Sequence, residues 1–163
     1  MVAGSYSKAC VSAHSPASLW KASADTHNLV PKLLPQQVSH VELLEGKGGS
    51  VGAVLKFNFG QDLKHLNYVK NRVEAVDEAN RVIKLRVLEG KDMGTVLKSC
   101  VYELKMDETS EGGTKTTVKM DYDTVGDTPL PKELAESMLD GVLGQTKAID
   151  AHLHANRLLT ANA

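Results

Sequence analysis

Apolar and polar residues alternate with a period of two through the middle of the chain. This period places every second side chain on the same face of a β-strand. We therefore predict five strands there, with the charged positions facing water. The inner-face positions are Leu55, Phe57 and Phe59; Val69, Asn71, Val73 and Ala75; Ile83, Leu85 and Val87; Cys100, Tyr102, Leu104 and Met106; and Thr116, Val118, Met120 and Tyr122.

Short turns separate these runs of alternating residues. They lie at residues 77–80, 90–94 and 111–113, and they are rich in Gly, Asp, Asn and Glu. Parallel neighbours would need a crossover of about a dozen residues or more, so connections this short predict an antiparallel meander.

Two short helices are predicted before the strands. A Ser-Pro pair at residues 15–16 provides a cap and a residue suited to the first helical turn. That helix should end near Ala24. An Asp-Thr pair at residues 25–26 begins a second helix, which Pro31 and Pro35 are expected to end.

The C-terminal part of the chain, from Pro129 to about Thr160, has the pattern of one long helix. Asp127 or Thr128 could cap it, with Pro129 or Pro131 in its first turn. At about 28 residues it would be roughly 42 Å long. One apolar face recurs at steps of three and four residues: Leu134, Met138, Val142, Gln145, Ile149 and Leu153.

A one-faced meander and one long helix together predict an α+β fold. The sheet can bury its apolar face by curling around the helix. The length of 163 residues suits one domain, so we expect residues 1–163 to form a single ligand-binding domain.

The charge balance argues against some classes of partner. Lys and Arg total 19, Asp and Glu total 20, and the net charge is -1. Nucleic acids and anionic membranes select basic surfaces, so neither is an expected partner.

No apolar run approaches the roughly 20 residues that span a bilayer. The first residues do not resemble a secretory signal. We therefore expect a cytoplasmic protein in which Cys10 and Cys100 are reduced.

The segment from Glu45 to Gly52 contains four glycines: Gly46, Gly48, Gly49 and Gly52. A phosphate-binding P-loop or a dinucleotide-binding turn would open a helix. Here the glycines lead into strand residues, so a tight hairpin is favoured over a nucleotide site. The backbone N–H groups of such a loop could still bind an anion weakly.

Several separated motifs follow the order and spacing of one plant family. They are Pro-Lys-Leu-Leu-Pro-Gln at 31–36, Val-Glu at 41–42, Glu-Gly-Lys-Gly-Gly at 45–49, Tyr-Val-Lys-Asn-Arg-Val at 68–73 and Leu-Glu-Gly at 88–90. The chain resembles the pathogenesis-related class-ten proteins, typified by the major birch-pollen allergen. The resemblance implies a helix-grip fold: a seven-stranded curved antiparallel sheet, two short helices in a V and a long C-terminal helix over a cavity.

The resemblance also implies a function. Members of this family bind flavonoids, cytokinins, steroids and fatty acids, and they are linked to plant defence. We therefore expect binding, storage or transport of an apolar or amphiphilic small molecule, without a cofactor, by a monomer. The predicted ligand-binding residues are Leu55, Phe57, Phe59, Val69, Asn71, Ile83, Leu85, Tyr102, Val118, Met120, Met138, Val142 and Gln145.

Three positions of the expected cavity depart from the family pattern. Leu55 stands where many members have an inward-pointing lysine, and Ile83 and Leu85 stand where many have tyrosines. The cavity should therefore be more apolar than is usual in the family. Gly141, inside the long helix, is expected to leave room above it, although a glycine there costs about 1 kcal/mol relative to alanine.

The alternative function is enzymatic, either weak ribonuclease activity or cyclase-type chemistry of specialised metabolism. The positions matching the proposed ribonuclease residues of the family are Lys98, Asp150 and His152, and only the carboxylate is retained. No inner-face strand position carries Lys, Asp or Glu, so we predict no catalytic residue. His152 and His154 point to different faces of a helix, so no metal site is expected.

Overall fold

The computed structural model describes the backbone of residues 1–161 and the side chains of residues 1–156. Seven strands, three α-helices and a short 3-10 helix follow one another along this part of the chain. In order they are β1 (Ala3–Ser12), α1 (Pro16–Ser23), α2 (Thr26–Leu33), β2 (Val38–Glu45), β3 (Val54–Phe59), the 3-10 helix (Gln61–Leu66), β4 (Tyr68–Asp77), β5 (Val82–Gly90), β6 (Leu97–Glu108), β7 (Thr114–Thr124) and α3 (Lys132–Ala161).

The seven strands form one curved antiparallel sheet with the order β1-β7-β6-β5-β4-β3-β2. Consecutive strands from β2 to β7 are neighbours, and β1 pairs with β7. This confirms the predicted meander and the seven-stranded sheet that the family resemblance implied. Strands β1 and β2 did not stand out in the hydrophobic pattern because both are edge strands with mostly exposed side chains.

One inner-face assignment in β4 was wrong. The pairing of β4 with β5 shifts between Val73 and Ala75, and beyond this bulge Val76 lies opposite Ile83. Val76 is partly buried and Ala75 is exposed. An extra residue in one strand moves the following side chains to the other face, so the period of two breaks there.

The two short helices begin where the sequence predicted. The Ser15 side chain accepts a hydrogen bond from the backbone N–H of Ser18 at 3.3 Å, which caps α1. Helix α2 ends at Leu33, between the two prolines that were expected to end it, so Pro31 itself does not stop the helix. Pro31 lies in the last turn, where one missing N–H leaves the helix intact, and Leu34 N–H still bonds to the carbonyl of Val30 at 2.8 Å.

Helix α3 begins at Lys132, so the predicted caps at residues 127 and 128 lie too early. One stripe of small and apolar side chains on the helix is buried: Ala135, Leu139, Leu143, Thr146 and Ile149. Ala135, Leu139 and Leu143 belong to a core cluster with residues of the sheet. Ile149 belongs to the predicted stripe, whose other members are only partly buried: Leu134, Met138, Val142, Gln145 and Leu153. The apolar arc of α3 is therefore wider than predicted. The side chains on one side of the arc are buried, and most of those on the other side are only partly buried. None of the described helices is long and apolar enough to cross a membrane.

Candidate ligand-binding cavity

A cavity of about 590 Å³ lies between the concave face of the sheet, helix α3 and the pair of short helices. Small-molecule sites in proteins commonly have volumes of about 300–1,000 Å³, so this space can hold a small organic ligand. It exists because α3 packs against only one side of the sheet. Strands β3, β4 and β5 turn their inner faces toward open space.

Eleven of the thirteen predicted ligand-binding residues line this cavity. They are Leu55, Phe57, Phe59, Val69, Asn71, Ile83, Leu85, Tyr102, Met138, Val142 and Gln145. The first eight come from β3 to β6, and the last three from the partly buried stripe of α3. The geometry therefore brings together two segments that are far apart in the sequence.

Val118 and Met120 do not line the cavity, so placing them in its wall was wrong. Both are fully buried on β7, in a core cluster that includes Leu139 and Leu143 of α3. The helix covers this part of the sheet and leaves no space for a ligand. Alternation predicted the correct face for both residues, but it could not distinguish covered strands from uncovered ones.

Sequence reasoning missed the residues that close the ends of the cavity. Trp20 and His27 come from the short helices, Leu63 and Leu66 from the 3-10 helix, and Met93 from the β5–β6 loop. These elements lack a regular period, so no repeating pattern marked their inward side chains. The large apolar side chains of Trp20, Leu63, Leu66 and Met93 were the only available signal.

The wall is largely apolar at the positions where the sequence departs from the family pattern. Leu55 on β3 is 9% exposed, and Ile83 and Leu85 on β5 are partly buried. Tyr102 is the main exception. Burial raises its pKa well above the ordinary value, and the nearby Cys100 thiol and Asp92 carboxylate raise it further. Its phenol group therefore stays protonated and can donate a hydrogen bond.

Asn71 is a second polar residue in this wall. It lies on β4, directly opposite Leu55 of β3 on one side and Val87 of β5 on the other. Its Oδ1 atom is buried and has no hydrogen-bond partner in the protein. A buried acceptor without a donor is destabilising, so it requires an explanation.

The charged residues around the cavity belong mainly to its rim. Asp62, Lys91 and Asp92 lie in or next to loops, and Asp140 on α3 is paired with Lys8 of β1. At another part of the rim, the Trp20 indole N–H donates a hydrogen bond to Glu78 Oε2 at 2.7 Å. This bond joins α1 to the β4–β5 turn.

The glycine-rich loop is the hairpin between β2 and β3. Gly46, Gly49 and Gly52 have positive φ angles of 73°, 79° and 89°, which favour glycine. Gly48 lies against the His27 ring, where a Cβ atom would be 2.5 Å from a ring carbon. Only Gly49 of the four also lines the cavity. The glycines thus allow a tight turn to pack against the short helices.

The three positions considered for ribonuclease chemistry lie outside the cavity wall. Asp150 Oδ1 is 2.6 Å from Nδ1 of the buried His14, so this carboxylate is engaged in a contact between α3 and the segment after β1. His152 Nε2 lies 3.2 Å from the Asn156 amide nitrogen. Lys98 is exposed on β6. Among the described residues, no group of three His, Cys, Asp or Glu side chains could hold a metal ion.

A sheet that wraps a long helix and encloses a mostly apolar cavity defines a helix-grip protein. The model of the pathogenesis-related protein Bet v 1 family matches residues 1–156. The chain belongs to this family. Membership supports a ligand-binding role in general terms, without specifying a ligand.

The curated relatives include fruit allergens. The major allergen Pru ar 1 of Prunus armeniaca is 33% identical over 142 residues, which cover 86% of this chain and 88% of the relative. The major allergen Mal d 1 of Malus domestica is 32% identical over 139 residues, covering 85% and 86%. The chain is therefore similar to these allergens over most of its length.

Solved structures support the same fold. The crystal structure of Ara h 8.0201 is 28% identical, with a TM-score of 0.78 over 94% of this chain and 99% of that one. The major latex-like protein 151 of Panax ginseng is 24% identical, with a TM-score of 0.78 over 93% and 98%. Norcoclaurine synthase of Thalictrum flavum, in complex with dopamine and hydroxybenzaldehyde, is 19% identical, with a TM-score of 0.76 over 94% and 88%. The last two show the fold alone.

Proposed function

We propose that this protein binds hydrophobic or amphiphilic small molecules in its cavity and stores or transports them inside the cell. The observation that carries the proposal is the 590 Å³ cavity with a mostly apolar wall. Flavonoids, cytokinins, steroids and fatty acids are the candidate ligand types, because each combines an apolar body with few polar groups. A role in defence or stress would follow from the nature of the stored compound.

The size of the cavity sets an approximate affinity. Burying roughly 400 Å² of apolar ligand surface contributes about 10–12 kcal/mol, at about 25–30 cal/mol per Å². Association and ordering remove about 4 kcal/mol. The remaining 6–8 kcal/mol, roughly, corresponds to a Kd from about one to tens of micromolar. Such an affinity suits storage of several related compounds better than sensing of one hormone.

The wall gives little support to the enzymatic alternative. Ribonuclease or cyclase-type chemistry needs a general acid or base that can reach the substrate. Tyr102 stays protonated and therefore cannot act as a base, Asp140 is paired with Lys8, and Asp150 contacts His14 outside the cavity. These contacts favour a carrier over a catalyst.

Native mass spectrometry of the protein purified from its own tissue tests this proposal. We expect a one-to-one complex with an apolar molecule of a few hundred daltons, which is lost on denaturation. A protein that carries no ligand, and that takes up none of the four candidate compound types when they are added at 100 µM, would contradict the proposal.

A further inference from the structure

The Asn71 amide is a polar group in an otherwise apolar part of the cavity wall. Its cross-strand neighbours are Leu55 and Val87, and Val69 and Val73 precede and follow it on the same face of β4. All four neighbours are aliphatic. None of these side chains can donate a hydrogen bond, which accounts for the unpartnered Oδ1 atom.

This residue is placed where a ligand could supply the missing partner. Asn71 lines the cavity, although Oδ1 itself is enclosed in the present side-chain orientation. A rotation of about 180° about the terminal torsion of the side chain would exchange the positions of the amide oxygen and nitrogen. A hydroxyl group both donates and accepts hydrogen bonds, so it can pair with either end of the amide.

The charges around the cavity argue against an anionic ligand. Among the described residues that line it, Lys91 is the only lysine or arginine, and it is exposed on the β5–β6 loop. A ligand anion near Asn71 would lose its hydration without gaining a cation. Burial of an unpaired charge is strongly unfavourable.

We propose that the preferred ligand is an uncharged apolar molecule with a hydroxyl group, and that this hydroxyl forms a hydrogen bond with the Asn71 amide. The inference rests on the proposed carrier function, because it assigns a specificity-determining residue to the same cavity. This preference favours alcohols and phenols over hydrocarbons and carboxylates of the same shape. Among the four candidate ligand types it therefore disfavours fatty acids, whose carboxyl group is ionised at neutral pH.

Two probes of nearly the same shape test the role of Asn71. 2-Naphthol carries a hydroxyl group where 2-methylnaphthalene carries a methyl group. The Kd of each is measured by titration, with the fluorescence of Trp20, the single tryptophan of the chain, as the readout. Comparing the Kd ratio of the two probes between variants removes the difference in their intrinsic hydrophobicity. In Asn71→Leu we expect the preference for 2-naphthol to fall about 3- to 10-fold relative to the unmodified protein.

Thr116→Val is the matched control. Thr116 also has a buried hydroxyl oxygen without a partner, but it lies on β7 and does not line the cavity. We expect this variant to keep the original Kd ratio. Thermal unfolding of both variants establishes that each is folded before the titrations are compared.

The unmodified protein provides a second test that needs no variant. At pH 7, 2-naphthol is neutral and 2-naphthoate is anionic, and we expect 2-naphthoate to bind at least 10-fold more weakly. Equal binding of the two, or an unchanged Kd ratio in Asn71→Leu, would overturn the inference while the carrier function stands. If neither naphthol nor methylnaphthalene binds, both the inference and the carrier proposal fail.

Discussion

The indole N–H of Trp20 and the carboxylate of Glu78 form a 2.7 Å hydrogen bond across the rim of the cavity. One residue lies on α1 and the other on the turn between β4 and β5, which are separate walls of the same space. The bond is exposed, so its contribution to global stability should be below about 1 kcal/mol. Its main effect should be on how readily these two walls separate.

Removing this bond should speed ligand exchange. In Glu78→Ala we expect the dissociation rate of N-phenyl-1-naphthylamine, a neutral fluorescent probe, to rise about 2- to 10-fold, because one hydrogen bond contributes this much. Stopped-flow displacement measures the rate. Glu78→Gln keeps an acceptor for the indole and should remain close to the unmodified protein. Equal rates in all three proteins would show that the bond does not restrain the rim.

Gly141 and Gly144 form a matched pair for testing the space above the cavity. Outside the adjacent residues and the nearby backbone of the helix itself, a Cβ atom added at either position meets no atom within 4 Å, but only Gly141 lines the cavity. Replacing each with alanine should stabilise the helix by about 1 kcal/mol and raise the Tm by about 2–4 °C.

Ligand binding should distinguish the two glycine variants. We expect Gly141→Ala to weaken binding of N-phenyl-1-naphthylamine about 2- to 5-fold, because one methyl group occupies space that the ligand uses. Gly144→Ala should leave the Kd unchanged in the same titration. If both variants bind as tightly as the unmodified protein, the ligand does not need the space at Gly141.

The His14–Asp150 contact should be structural. Asp150→Ala leaves the buried imidazole of His14 without its partner, at an expected cost of about 1–3 kcal/mol in the free energy of unfolding. Urea unfolding measures this loss, and Asp150→Asn, which keeps a polar partner, should lose less. Probe binding should not change in either variant because neither residue lines the cavity. Loss of a ribonuclease activity in a fully folded Asp150→Ala variant would instead favour the enzymatic alternative.

Cys100 should make stability depend on pH in the alkaline range. Burial raises the pKa of its thiol to about 11, whereas an exposed thiol titrates near about 8.5. The unfolded chain therefore releases this proton first as the pH rises. The stabilisation that the buried neutral thiol provides is complete below about pH 8.5 and is lost as the pH rises toward 11.

The effect is isolated by comparing the protein with Cys100→Ala. Between pH 8 and pH 10.5, the unmodified protein should lose about 2 kcal/mol more unfolding free energy than the variant. Urea unfolding at the two pH values measures the difference. Parallel losses in both proteins would show that the thiol titrates normally in the folded state.

The sequence predicted the sheet and helix well where residues are half-buried. Strands β3 to β7 each turn one face toward the core or cavity, so their alternation was readable, whereas the exposed edge strands β1 and β2 gave little signal. The bulge beside Ala75 changed the facing residues without a local sequence sign. The alternation of apolar and polar residues therefore identified which side chains share a face of a strand, but not where a bulge interrupts the strand.

The cavity was predictable only in part, for a related reason. The period of two placed Val118 and Met120 on the same concave face as Leu55 and Leu85. Whether a position on that face meets helix α3 or open space depends on the tertiary arrangement. No local pattern of residues predicts this arrangement. For the same reason, the sequence did not predict that Trp20 lies at the rim of the cavity.

The central claim is that this cavity binds an apolar small molecule. Its most direct test is isothermal titration of N-phenyl-1-naphthylamine into the unmodified protein, Leu85→Trp and Val11→Trp. Leu85 lines the cavity, whereas Val11 is 73% exposed on β1, so the same new side chain fills the cavity in one variant only. We predict one site with a Kd of about 1–40 µM in the unmodified protein and in Val11→Trp, and at least 10-fold weaker binding in Leu85→Trp. Equal binding by all three folded proteins, or no binding by any, would contradict the claim.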